Sequence, residues 1–90
     1  MTTLTRKQLI HLPVVTRSDQ AIGTVVDFEI DAETQTVWRY EIAQGDILIP
    51  GFFGKKFFVA PSQVISLDAK KMVVEDAVVK DAQLAERLVS

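Results

Sequence analysis

Residues 21–43 alternate apolar and polar side chains with a period of two along two arms, and no other stretch constrains the fold as tightly. In the first arm Ile22, Thr24, Val26, Phe28 and Ile30 fall on one side of an extended chain, with Val25, Asp27, Glu29 and Asp31 on the other. In the second arm Trp38, Tyr40 and Ile42 share one face, and Val37, Arg39 and Glu41 the opposite one. Such alternation is the signature of a half-buried strand. Two arms about a short polar connection predict a β-hairpin with one apolar and one charged side. Burying both apolar faces sets Ile30 opposite Trp38, Phe28 opposite Tyr40 and Val26 opposite Ile42. A one-residue slip would bring Phe28 beside Arg39 and turn half the core to water. That register implies an odd connection, the three-residue loop Glu33-Thr34-Gln35, with Gln35 in the left-handed position of a turn-plus-bulge.

The flanking segments read as further short strands. Thr5-Arg6-Lys7-Gln8 has the spacing of a capping box, so a single helical turn precedes the first strand. Pro13 forces extended backbone into Val14-Val15-Thr16, and 17–20 form a polar turn. Gly23, inside the second strand, marks a bulge or a close backbone approach. Further strands are expected over 57–60, which Pro61 stops, over 64–67 and over 72–75, with a turn at 68–71. Their number and shortness predict an all-β domain, a small barrel or a strongly bent antiparallel sheet. From Asp76 the pattern changes. Residues 81–88 are good helix formers with Leu84 and Leu88 on one face. A helix that short is marginal in water unless it docks. The expected organisation is therefore one domain over 1–76 and a helical extension over 77–90.

Ninety residues suffice for one core and leave no room for two. A net charge of −2 with no basic tract gives nucleic-acid binding no electrostatic support. With no cysteine, disulfides and thiolate chemistry are excluded, which fits a cytoplasmic protein. Arg6, Lys7 and His11 interrupt the apolar run a signal peptide would need, and no window approaches the roughly 20 apolar residues of a membrane span. The expectation is a cytoplasmic protein without membrane insertion.

The runs Leu12-Pro13-Val14-Val15, Ala21-Ile22-Gly23-Thr24-Val25-Val26-Asp27-Phe28, Ile30-Asp31 and Phe58-Val59-Ala60-Pro61-Ser62-Gln63-Val64-Ile65-Ser66 resemble a PRC-barrel domain. The resemblance covers roughly residues 9–76, and its most specific part is Ile-Gly-Thr-Val with Asp27 and Asp31. It implies a compact β-barrel used as an interaction module, without catalytic machinery. His11, Gln20 and Gln35 stand at turn positions where that family commonly has glycine.

Catalytic and metal-binding constellations are not evident. Asp27, Glu29 and Asp31 lie about 6.6–6.8 Å apart along a strand, too far to close readily around one hard cation. The tight glycine turn and bidentate ligand of a calcium loop are missing. The reading is a solvated face with Arg39 as cross-strand partner. His11 is the only histidine and is read as a turn residue. Gly51-Phe52-Phe53-Gly54 matches no phosphate-loop fingerprint. No enzyme activity, cofactor or metal is expected.

The stretch 47–54 is apolar yet punctuated by Pro50, Gly51 and Gly54. Adjacent residues of a strand point to opposite faces, so one of Phe52 and Phe53, with Ile47 or Ile49, is left exposed in an isolated monomer. Exposed apolar patches mark interfaces, with ordinary barrel closure as the rival reading. The sequence thus suggests a non-catalytic assembly module that homodimerises through Ile47, Ile49, Phe52, Phe53, Leu84 and Leu88. An unidentified protein partner is the variant of that reading. An RNA- or ribosome-associated role, by analogy with ribosome maturation factors of the same family, is the alternative. A small apolar ligand is least expected, because small barrels are filled by their own side chains.

Overall fold

The computed structural model describes residues 3–44 and 56–79. The expected interface residues Ile47, Ile49, Phe52, Phe53, Leu84 and Leu88 lie outside the described residues. A short helix α1 (Arg6–Leu9) leads into strands β1 (Pro13–Thr16), β2 (Ala21–Asp31), β3 (Thr36–Ala43) and β4 (Lys56–Val59). A 3-10 turn (Pro61–Gln63) follows, then β5 (Val64–Leu67) and β6 (Met72–Val74). The six strands form one sheet in the order β4-β3-β2-β1-β6-β5, as the bent all-β reading requires. The sheet is mixed, because β1 runs parallel to β6.

Chain length makes this sheet curl. Its two edge strands, β4 and β5, are successive in sequence and separated only by residues 60–63. Five Cα steps span at most about 18 Å, whereas a flat six-stranded sheet would set its edges about 24 Å apart. The edges must therefore approach, and the 3-10 turn that links them lies against β3. The concave side holds Val14, Ile22, Val25, Ile42, Val59, Met72 and Val74, all buried. α1 adds Leu9 to this core, and Val78 enters it from the segment that follows β6. Among the described residues two polar ones, Thr16 and Gln44, are buried with them. Thr16 Oγ1 accepts from the Gln20 amide, whereas Gln44 Oε1 has no hydrogen-bond partner among the described residues.

The hairpin keeps the expected register only at its centre. Phe28 pairs with Tyr40, but Ile30 faces Val37 rather than Trp38, and Val25 rather than Val26 faces Ile42. The connection is even: Asp31 pairs with Thr36, leaving 32–35 as the loop. One bulge, which leaves Trp38 without a partner on β3, reconciles this loop with the central register, and a second on the far side of the centre leaves Val26 without a partner on β2. Each bulge shifts the alternation by one residue. Val25 thereby becomes a fully buried core residue, and Trp38 leaves the apolar face for solvent.

Local capping follows the sequence closely. Thr5 and Gln8 form the expected capping box, with the Gln8 amide 3.2 Å from Thr5 Oγ1 and the Thr5 amide 2.9 Å from Gln8 Oε1. His11 (φ 73°) and Gln35 (φ 60°) take left-handed backbone, whereas in the turn before β2 the residue with positive φ is Asp19 (67°), not Gln20. The Gln35 amide donates to the Asp31 carbonyl at 2.7 Å, which closes the hairpin loop. A Cβ in that conformation costs about 1 kcal/mol, part of which glycine returns through unfolded-state entropy. Gln35→Gly is therefore expected to raise the melting temperature by a few degrees in a thermal scan. An unchanged or lower value would contradict the left-handed assignment.

Asp76 latches the segment after β6 onto the β1–β2 turn. The Ser18 amide donates to Asp76 Oδ1 at 3.0 Å and the Ser18 hydroxyl to Oδ2 at 2.6 Å. These bonds, the hydroxyl first, hold the Asp76 carboxyl below its ordinary range. A depressed folded-state pKa stabilises the fold above the unfolded-state value, about 3.9, and that contribution is lost as pH falls through the folded one. Asp76→Asn is accordingly expected to lower the melting temperature at neutral pH. The gap to the parent protein should close progressively as the buffer is taken below about pH 4. A gap independent of pH would assign the effect to something other than the carboxylate.

Candidate interaction surface

The convex side of β2, β3 and β4 carries the largest exposed aromatic group of the described residues. Trp38 is 56% exposed and Phe58 47% exposed. The residue that organises them is Arg39, whose guanidinium carbon lies 4.3 Å from the Trp38 ring centroid and 3.6 Å from that of Phe58. Its Nε donates to Glu29 Oε1 across the β2–β3 pair at 2.8 Å. The cross-strand pairing of Arg39 with this acidic face is thus as expected, and the guanidinium also supports two aromatic rings. Cation–π contacts at exposed sites contribute about 0.5–1 kcal/mol each, enough to favour one arrangement of side chains that would otherwise sample several rotamers.

The bulge explains why this surface exists. In regular alternation Trp38 would share the inward face of Tyr40 and Ile42; as the extra residue of β3, it lies beside Arg39 instead. Phe58 reaches the same group from β4, where it pairs with Glu41. Lys56 Nζ stands 3.8 Å from Glu41 Oε1 at the start of that strand. The surface therefore carries both signs of charge around an aromatic centre. Ile30, 51% exposed, lies further along the hairpin opposite Val37.

This group was not singled out in the sequence, where Trp38 reads as core and Phe58 as half of a Phe-Phe pair. The signal that could have found it is Arg39 between alternating rings on neighbouring strands, and it needs the bulge to be visible. The other sequence candidates have local structural roles. Asp27 Oδ1 accepts from the Phe28 amide, and Asp31 Oδ1 accepts from the amides of Glu33 and Thr34 within the hairpin loop. The His11 amide donates to the Val25 carbonyl at 2.7 Å in the turn between α1 and β1. Among the described residues no three His, Asp or Glu side chains come together as a metal-binding group. No helix among them is long and apolar enough to cross a membrane.

β3 ends at Ala43 and β4 begins at Lys56, and the two pair there. The family model for the PRC-barrel domain matches residues 1–79 of the chain. No curated protein matches it.

Proposed function

The chain belongs to the PRC-barrel domain family, whose small modules often serve in interaction or assembly, and on that premise we propose that it is a non-catalytic assembly module that pairs with a second copy of itself. The contact is the aromatic centre formed by Trp38, Arg39 and Phe58. The apolar candidates read from the sequence, Ile47, Ile49, Phe52, Phe53, Leu84 and Leu88, are further residues of the proposed contact. The observation that carries this reading is the exposure of two large aromatic rings held over one guanidinium. Exposed apolar surface of this kind marks association sites, and aromatic and arginine side chains are the commonest anchors of interfaces.

A second copy suits the surface because its charges are mixed. Arg39 and Lys56 lie beside Glu29 and Glu41, so a twofold arrangement can set cations of one copy against carboxylates of the other. The same carboxylates oppose a nucleic-acid phosphate backbone, which favours protein over RNA as the occupant. The experiment is the solution mass of the parent protein and of a variant that removes both rings. Loss of association with retention of the fold supports the reading, and association untouched by the variant refutes this surface.

A further inference from the structure

On the concave side, away from the aromatic surface, α1 leaves a cleft of about 330 Å³ against the curled sheet. Its walls are Leu9 of α1, Phe28 of β2, Val37 and Tyr40 of β3 and Leu67 of β5, with Arg6 the one charged residue among those that line it. This volume reaches the lower end of the range of small-molecule sites, which are mostly apolar with a few polar groups that fix orientation. A small barrel is normally filled by its own side chains. Here the space persists because α1 is a single turn, held by its capping box, and contributes only Leu9 as a buried side chain.

Polar groups at the cleft have a consistent sense. Arg6 forms no ion pair among the described residues, and no carboxylate is among the lining residues. Burial raises the Tyr40 phenol above its ordinary range, so at neutral pH it is an uncharged hydroxyl. An apolar slot with one unpaired cation at its lining is complementary to a molecule with a short hydrocarbon body and an anionic head.

We propose that the cleft between α1 and the sheet binds a small amphipathic carboxylate, its hydrocarbon chain against Leu9, Phe28, Val37 and Leu67 and its carboxylate toward Arg6. This site is separate from the self-association surface, and the two stand or fall independently.

The test is a methyl and amide NMR titration of the full-length protein at neutral pH with hexanoate, heptanoate and octanoate, and with octanol as the uncharged control. Saturable shifts at Leu9, Phe28, Val37 and Leu67, with the Trp38 indole unmoved, are expected. Each added methylene that the cleft can bury should tighten Kd about fourfold. Octanoate should bind more tightly than octanol, and Arg6→Gln should weaken octanoate about two- to fivefold while leaving octanol unchanged. Val37→Phe fills the slot and should abolish the shifts, and Arg6→Gln, at an exposed position, keeps the test decisive should Val37→Phe not fold. Absence of saturation at millimolar octanoate would overturn the proposal. So would shifts centred on Trp38, a chain-length series with no trend, or equal affinity for octanol and octanoate.

Discussion

Gly23→Ala is expected to abolish or nearly abolish folding. A Cβ on Gly23 would fall on the carbonyl oxygen of Ala43, well inside van der Waals contact, and 3.0 Å from Ile42 Cγ2. The first of these neighbours is backbone in the longest strand pair of the sheet, so it cannot rotate away as a side chain would. Gly23 also has φ +150°, a conformation that side-chain-bearing residues rarely adopt. Each of these effects alone costs of order 1–3 kcal/mol. Together they approach the whole stability of a small domain, about 5 kcal/mol at the lower end. Gly23→Ala should therefore show a collapsed denaturation midpoint or no cooperative transition, measured by circular dichroism against denaturant. A change under about 1 kcal/mol would mean that β2 and β3 do not approach as closely as described.

The second large effect is on association rather than folding. Trp38→Ser with Phe58→Ser removes both rings from the Arg39 guanidinium, and neither ring is part of the buried core. Surface substitutions away from core, caps and strained backbone usually change stability little, so the double variant should keep a cooperative thermal transition. Its self-association should weaken at least tenfold if the rings anchor the interface, since anchor residues typically contribute 2 kcal/mol or more. Arg39→Gln is the sharper single change. It leaves both rings in place and removes the group between them, together with its ion pair to Glu29. An intermediate loss of association is expected from it. Loss from the double variant but none from Arg39→Gln would show that the rings act without the guanidinium.

Much of this fold was legible in the sequence, and what was not legible has a definite cause. Thr5, Gln8, Gly23 and Gln35 act through their own backbone or near neighbours, and local residue chemistry is enough to find their roles. The hairpin centre, Phe28 opposite Tyr40, was also legible, because strict alternation identifies the apolar side. Alternation fails at Val26 and Trp38, since a bulge inserts one residue and exchanges the faces beyond it. Nothing in Val26 or Trp38 themselves announces that exchange; the even loop at 32–35 requires the bulge at Trp38, and the one at Val26 shows only in the strand pairing. The parallel pairing of β1 with β6 was hidden for a similar reason. It joins segments about sixty residues apart, and only the sheet order reveals it. The candidate surface fell into the illegible part: a tryptophan in an alternating strand reads as core until the bulge turns it out.

The most direct test of the assembly reading is light scattering across a concentration series of the parent protein beside the Trp38→Ser, Phe58→Ser variant. The weight-average mass of the parent protein is expected to rise toward twice the 10.0 kDa of one chain, while the variant stays at the mass of one chain and remains folded. A parent protein that holds the single-chain mass at every concentration would contradict self-assembly, and a dimer indifferent to the variant would place the interface elsewhere.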